Sequence, residues 1–575
     1  MTGKAAIYAM SRPPGGAAQT PGARPNPFGA TAAVTLPCRG AECAGLDVFA
    51  AGADRVTRHF DDTTGRAVYL VGRAYRPTVS DESLRQWCAQ TLDADPSAFR
   101  SLLGAFVVLI DDRRTKCVTF VSDPLGLLPW FVGTNDGRLV AGSDVLGICD
   151  AGLSSGEVDF DSVASWLCYS FVAAGGSVVR DFRRLPGGTV ATFERDGRLV
   201  SETRYATLKY VRNVVPPEEL IEGLYERVSA AFERMLKGVD EINLPLSGGY
   251  DSRLMCALAA EHGRLKVNVT VVESTSGEVL VARQVAAALG LPLRVLPVGA
   301  RVVDLFDDPL DFIAEGFPVP RNLTSAVARL HPGMPLLSGF MGDAVMRGPI
   351  KPTQREFLAQ DDNGLDDDGL ARVANERFLI RTNRLKLLRQ DLGSRAATRG
   401  LACLLPIVRQ ARDTGRPLAF ANLYLRHRLY FATIFLSHLD LADALIPFTS
   451  WELVDYHARH NGSFAPDTYD RLFRRFFPAL AHIPHSSQVS AKSEANANGA
   501  ARPPRHLRRW ARELLRAVPG GWGRTAIAPR KLLKRLPGAL LLRSRHPDDI
   551  GYLHRIHAFE ERLARANVGL DWSLV

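Results

Sequence analysis

The chain has 575 residues, 46 % of them hydrophobic and 23 % charged, with a net charge of +10. At roughly 100–200 residues per domain this implies two to four domains, each long enough to bury a core without disulfide or metal staples. No apolar run approaches the roughly 20 residues of a membrane helix, and the N-terminus carries one early lysine but no apolar h-region. A membrane protein and a secreted protein are therefore not expected. The eight cysteines form no CxxC pair and no zinc pattern with histidine, and read as reduced, buried residues of a cytoplasmic protein.

The charge is local. Residues 501–575 hold 16 Lys+Arg against 6 Asp+Glu, which accounts for the whole excess and leaves the remainder balanced. Such a basic segment is either a solvated helical face or a dock for an acidic peptide or partner. Aromatic residues do not alternate with the basic ones as a stacking platform for nucleic acid requires.

In chain order, a short first strand leads into a Pro-, Gly- and Ala-rich stretch over 11–30, expected to be flexible. From about 30 to 205 short apolar runs predict strands at 67–75, 105–110, 117–121 and 138–141. Asn135-Asp136-Gly137 and Asp196-Gly197 supply hairpin turns. Residues 210–217, with two prolines, read as a linker. The pattern then changes: helix 218–237, strand 241–246, a glycine turn, helix 252–261, strand 267–273 and helix 279–289. Apolar strands alternating with helices imply a parallel sheet. Helical patterns continue from about 365 to 480, residues 481–499 read as a mobile polar loop, and the basic helical tail closes the chain. There are no internal repeats.

The stretch that carries chemistry is Leu244 to Arg253, LPLSGGYDSR, where a strand turns into a helix. Its glycines let backbone approach an anion, and the helix N-terminus offers free N–H groups. Ser247 and Ser252 add hydroxyls. Asp251 would repel bare phosphates, but fits a Mg²⁺ ion that bridges them. No Gly-Lys-Ser/Thr closes the loop, so it is not a Walker motif. A second glycine turn ending in a carboxylate, Ser338-Gly339-Phe340-Met341-Gly342-Asp343, follows about 90 residues later.

SGGYDS resembles the pyrophosphatase-type loop (PP-loop) of ligases that split ATP into AMP and pyrophosphate. SGFMGD is similar to the SGxGxD motif of the asparagine synthetase family. Leu103-Gly104-Ala105-Phe106, Asp123-Pro124-Leu125-Gly126 and Arg183 to Gly188 resemble blocks of class II glutamine amidotransferases, and Ile446-Pro447-Phe448 a later synthetase segment. The resemblance implies an α/β protein in three parts. Residues 1–205 would be a degenerate amidotransferase-like, Ntn-type, β-rich sandwich. Residues 218–500 would be the PP-loop ATP-pyrophosphatase domain, with a parallel sheet and added helices. Residues 501–575 would be a basic helical extension of that catalytic domain.

The same resemblance implies ATP and Mg²⁺ as cofactors. Leu246, Ser247, Gly248, Gly249, Asp251 and Ser252 would cradle phosphates, Val271 would flank the adenine, and Ser338 and Gly339 would touch the nucleotide. Asp251 and Asp343 would hold the metal. Lys492 would be the catalytic cation facing the departing pyrophosphate, with Arg253 as the alternative cation and His485 a possible base.

The departures from the family are informative. Glutaminases of this type use an N-terminal Cys, whereas residue 2 is Thr2 and the first cysteine is Cys38. The family's glutamine-holding Asn-Gly-Glu corresponds to Val71-Gly72-Arg73. An inactive glutaminase is expected, and the amine must come from elsewhere. The position after Ser338-Gly339 carries a Tyr in β-lactam-forming relatives and a Glu in asparagine synthetases; here it is Phe340. A basic tail and a long polar loop suit a peptide substrate. The expected function is thus that of a lasso peptide cyclase, which joins an Asp or Glu side chain of a ribosomal precursor peptide to the core peptide's N-terminal amine. Its expected partners are the precursor, a leader peptidase and a leader-binding protein. A β-lactam synthetase-like enzyme, an ammonia-dependent asparagine synthetase-like enzyme and a PP-loop enzyme acting on RNA remain as alternatives.

Overall fold

The computed structural model describes residues 65–76, 81–296, 364–378, 390–432 and 443–489 almost completely, parts of 311–347, 385–388 and 555–570, and the backbone of four strands between 7 and 61. Thr2, Cys38, Lys492 and residues 12–30 lie outside the described residues.

The first domain contains twelve described strands: β1 (Ile7–Ser11), β2 (Val34–Thr35), β3 (Leu46–Ala50), β4 (Val56–Asp61), β5 (Arg66–Gly72), β6 (Phe106–Asp112), β7 (Cys117–Ser122), β8 (Phe131–Asn135), β9 (Arg138–Gly142), β10 (Arg183–Arg184), β11 (Thr189–Glu194) and β12 (Leu199–Arg204). They form two six-stranded sheets, in the orders β10-β8-β9-β1-β3-β2 and β12-β11-β7-β6-β5-β4. Every pairing within them is antiparallel. The β8–β9 hairpin turns through Asp136 and Gly137, both in the left-handed region (φ 50° and 67°), as the Asn-Asp-Gly signal predicts.

Alternation sorts the side chains into layers. Tyr69, Leu109 and Phe120 of one sheet meet Val132, Leu139 and Ala141 of the other in a core between the sheets. Their chain neighbours Leu70, Val108 and Val140 face outward into the main core, which also takes Leu84 and Cys88 of helix α1 (Asp81–Ala94) and Trp166 of α3 (Phe160–Tyr169); α2 (Val145–Asp150) lies between them in sequence. Helix, sheet, sheet, helix is the resulting stack.

The 206–216 segment is irregular, as a linker should be, but it is not loose. Tyr210 N–H donates to Thr414 O at 2.7 Å and Val211 N–H to Ala458 O at 3.0 Å, and Tyr210 is buried.

After helix α4 (Pro217–Leu236) comes a five-stranded sheet built from β13 (Glu241–Pro245), β14 (Lys266–Val272), β15 (Leu293–Leu296), β18 (Leu336–Leu337) and β19 (Ala444–Leu445). The small hairpin β16 (Asp311–Phe312) and β17 (Pro318–Val319) stands apart from it. The order is β15-β14-β13-β18-β19 and every pairing is parallel. Helices α5 (Tyr250–Glu261) and α6 (Ser276–Leu289) link the first three strands. The parallel sheet matches the sequence expectation. The two-residue strands β18 and β19, too short to leave a periodic signal, do not appear in it.

The two halves share one continuous core. Helix α3 lies against the helix Gln390–Ala402, where a Cβ on Gly400 would sit 2.6 Å from the Cys168 sulfur. The described part of 501–575 packs where the two halves meet. Phe559 stacks on Phe317 and lies tilted against Trp166, with ring centroids 5.0 and 5.2 Å apart. Arg562 donates to both carboxylate oxygens of Asp150, at 3.1 and 2.6 Å. The segment thus touches both halves: Phe317 belongs to the second, Trp166 and Asp150 to the first. No described helix is long and apolar enough to cross a membrane.

Candidate functional site

In a parallel sheet, ligands bind beyond the carboxyl ends of the strands, where the strand order reverses. Here the order reverses between β13 and β18: β14 and β15 build out on one side, β18 and β19 on the other. SGGYDS follows β13 and SGFMGD follows β18, so the two motifs meet at that crevice.

Each loop is shaped by a close approach. Gly248 has φ 71°, and a Cβ on it would press against Ser486 Cβ at 3.2 Å and Glu278 O at 3.3 Å. Gly249 caps α5, so the first-turn N–H groups open toward the crevice. Ser247 N–H donates to Ser252 Oγ at 3.2 Å, and the two hydroxyls lie 3.1 Å apart. In the second loop a Cβ on Gly339 would lie 2.7 Å from Asp251 C, and one on Gly342 2.7 Å from Asp251 Cγ. The glycines of SGFMGD are there because the loop is packed directly on Asp251. Met341, between them, takes φ 70°, a conformation that costs a non-glycine residue about 1 kcal/mol or more.

Asp251 is the electrostatic centre. Tyr469 O–H donates to its Oδ1 at 2.5 Å, and the Asp343 N–H also donates to it. Burial raises its pKa to about 7, the charge of Asp343 adds to the rise, and the Tyr469 hydrogen bond and Arg347 oppose it. Asp343 has His427 Nδ1 3.4 Å from Oδ1 and Arg347 Nη2 3.9 Å from Oδ2. Two neighbouring carboxylates, one of them held from ionising by burial and then by the charge of the other, form a donor set that a divalent cation relieves. The residues present therefore fit Mg²⁺.

Of the residues singled out in the sequence, Leu246, Ser247, Gly248, Gly249, Asp251, Ser252, Ser338, Gly339 and Asp343 converge on the crevice. Ser338 N–H donates to Leu445 O at 2.9 Å, which ties its loop to β19. Val271 is buried completely in the core. Arg253 is a correction. It is 1 % exposed and its guanidinium donates to Ile483 O at 2.7 Å, Pro484 O at 2.9 Å and Gly248 O at 3.4 Å. It clamps one chain segment to the phosphate loop and is no spare cation. That clamp also corrects the loop reading of 481–499: residues 481–486 pack over the motif, with Ile483 buried. His485 lies at the phosphate loop, its Nε2 3.8 Å from where a Gly249 Cβ would be, and burial lowers its pKa.

Tyr469, His427 and Arg347 are additions. The first two come from the helix Thr468–Phe476 and the π-helix Asn422–Phe431, far away in sequence, and no local pattern marks them. Arg347 follows Asp343 by one helical turn, a spacing that could have found it.

Of Val71-Gly72-Arg73, only Arg73 reaches the second half. Val71 points into the core between the sheets. A Cβ on Gly72 would collide with Ala105 O at 2.4 Å. Arg73 Nε pairs with Asp443 Oδ2 at 3.0 Å, just ahead of β19.

Comparison with known proteins agrees with this construction. Residues 223–519, just over half of the chain, match the asparagine synthase family, and residues 88–206 match the glutamine amidotransferase domain. The chain belongs to the asparagine synthase family. Its fold is α/β, with an Ntn-like amidotransferase domain ahead of a PP-loop-type synthetase domain. Proteins of Mycobacterium tuberculosis and Mycobacterium bovis assigned as glutamine-hydrolysing asparagine synthetases are 24 % identical over 284 residues, covering 45 % of this chain and 42 % of theirs. The chain thus matches less than half the length of these relatives. Among solved structures, the NH3-dependent NAD synthetase of Campylobacter jejuni overlaps at 13 % identity and TM-score 0.17, over 33 % of this chain and 97 % of its own. The Bacillus subtilis glutamine phosphoribosylpyrophosphate amidotransferase does so at 14 % and 0.19, over 44 % and 51 %. Both overlaps are too loose to argue from.

Proposed function

We propose that this chain is an ATP-dependent, AMP-forming amide ligase that closes a macrolactam on a ribosomal precursor peptide, as lasso peptide cyclases do. The observation that carries the ligase chemistry is the meeting of SGGYDS and SGFMGD at the point of strand reversal, with Asp251 and Asp343 facing the same crevice. In the proposed reaction an Asp or Glu side-chain carboxylate of the peptide attacks the α-phosphorus of ATP and pyrophosphate leaves. The peptide's N-terminal amine then attacks the acyl carbon, loses a proton, and AMP departs.

The loop 246–252 binds the phosphates through the N–H groups at the start of α5 and the Ser247 and Ser252 hydroxyls, while the Leu246 N–H, donated to Thr270 O at 2.8 Å, anchors it. Asp251 and Asp343 would hold Mg²⁺, which neutralises charge on the leaving pyrophosphate when bound. Tyr469 keeps Asp251 oriented. Arg347 is the described cation nearest the two carboxylates, and Lys492, outside the described residues, remains the candidate contributed by the following loop. Ser338 and Gly339 shape the nucleotide side of the crevice, with Val271 packed behind it.

Two observations favour an amine supplied by the substrate. Arg73 stands where a glutaminase of this family places its carboxylate, and is engaged with Asp443 at 3.0 Å. Phe340 stands where asparagine synthetases carry Glu and β-lactam-forming relatives carry Tyr. A second reading is asparagine formation from free ammonia; its product, though not its amine source, is that of the mycobacterial relatives. One assay separates the two: a synthetic core peptide with ATP and Mg²⁺ should lose one water in mass, whereas aspartate with ammonium should give no asparagine. The opposite pair of results would overturn the peptide reading. The leader peptidase and leader-binding partner belong to the same proposal.

A further inference from the structure

Consecutive residues of the π-helix Asn422–Phe431 face two different domains. His427, 2 % exposed, places Nδ1 3.4 Å from Asp343 Oδ1. Arg428, 3 % exposed, reaches into the first domain: its Nε donates to Leu125 O at 2.8 Å and its Nη2 to Gly126 O at 3.1 Å. Its third nitrogen donates to Tyr424 O–H at 3.1 Å, one turn back on the same helix. Every guanidinium nitrogen is thereby committed.

The receiving loop is itself rigid. Asp123, fully buried, accepts from Leu125, Leu127 and Leu128 N–H groups at 3.1, 2.9 and 3.0 Å. Arg184 donates to the same Gly126 carbonyl at 3.0 Å. Gly126 has φ 63°, and a Cβ there would stand 2.5 Å from Arg428 Nη2, so the loop is fitted around the guanidinium. A π-helical run is rare and is held in place only where its surroundings determine it. In an α-helix, successive residues would be turned about 100° apart instead of the tighter angle that a π-helix imposes. The π-helical turn thus sets the angle between the His427 and Arg428 side chains.

We infer that Arg428 is a positioning residue: docked on the Asp123–Gly126 loop, it fixes the π-helix so that His427 orients the Asp343 carboxylate toward the metal. The amidotransferase-like domain thereby acts as a buttress for the synthetase site, a role independent of glutamine hydrolysis. The inference rests on the reading of Asp343 as a metal ligand. Groups that orient metal ligands from behind commonly contribute 10–100-fold to metal affinity.

The test measures Mn²⁺ binding by electron paramagnetic resonance, with the full chain and a non-hydrolysable ATP analogue. Arg428→Met should weaken Mn²⁺ binding about tenfold, with little change in affinity for the metal-free analogue. Arg428→Lys, which can still reach one carbonyl, should recover most of the loss. Arg428→Met should add nothing in an Asp343→Asn background, since the two act through one carboxylate. His427→Gln, which leaves the domain contact intact, should weaken Mn²⁺ without lowering the melting temperature, and it decides the matter if Arg428→Met does not fold. If Asp343→Asn loses Mn²⁺ while Arg428→Met and His427→Gln bind it normally, the positioning role is wrong. If Asp343→Asn itself binds Mn²⁺ normally, the reading of the metal site falls, and this inference with it.

Discussion

Replacing Asp251 with Asn should make the protein more stable and almost inactive. The carboxyl is raised to about 7 from 3.8, first by burial and then by the neighbouring charge of Asp343. Below about pH 4 neither the folded nor the unfolded chain carries the charge. Between about 4 and 7 the unfolded chain ionises first, so the stability of the nucleotide-free protein falls as pH rises, and above about 7 the deficit is constant. A rise of that size corresponds to roughly 4 kcal/mol at about 1.4 kcal/mol per pH unit. Asp251 still shows part of its surface to the crevice, so this is an upper bound. The Asn oxygen can still accept the Tyr469 hydrogen bond, so little is lost there. Asp251→Asn, stripped of divalent metal, should therefore melt higher than wild type at pH 8, match it near pH 4, and lack the downward trend between. Ligation should fall about 10²–10³-fold, and Mg²⁺ with an ATP analogue should stabilise wild type far more than the variant. A variant that melts lower at pH 8, or retains the wild-type trend, would show that the Asp251 charge is not opposed by its burial beside Asp343, and would remove the physical case for a cation there.

Three further outcomes are expected. Tyr469→Phe removes a donor that favours the ionised Asp251, so the acid limb of the pH–rate profile should move to higher pH; an unmoved limb would show the hydroxyl to be irrelevant. Gly342→Ala would place a methyl 2.7 Å from Asp251 Cγ and should lower kcat about 10²-fold through misplacement of the carboxylate, a loss read from steady-state kinetics. Purified protein should release no glutamate from glutamine above background, because Arg73 is committed to Asp443; a time course with a glutamate-specific assay checks it.

The phosphate loop could be read directly from the sequence because its chemistry is local: glycines, hydroxyls and carboxylate lie within six residues of one strand–helix turn. The parallel sheet followed from apolar strands alternating with helices. What escaped depends on long-range packing. Tyr469 reaches Asp251 from 218 residues away, and nothing near it in the chain announces this. Arg253 read as a spare cation because a sequence shows a charge without its acceptors, here the carbonyls of Ile483 and Pro484. The same carbonyls hold residues 481–486 in place, although their composition reads as mobile. The π-helix was invisible, since NLYLRHRLYF has the composition of an ordinary α-helix. The Asp123–Gly126 block was visible as a family feature, but its use as a seat for Arg428 was not.

The central claim is that the crevice between Asp251 and Asp343 activates a carboxylate by splitting ATP between its α and β phosphates. The most direct test is to separate the spent nucleotide after incubation with Mg²⁺, ATP and a core peptide, and to compare it with the amide formed. AMP and pyrophosphate should appear in step with the ring-closed peptide and vanish together in Asp251→Asn and Asp343→Asn. ADP and phosphate accompanying the amide would contradict the account.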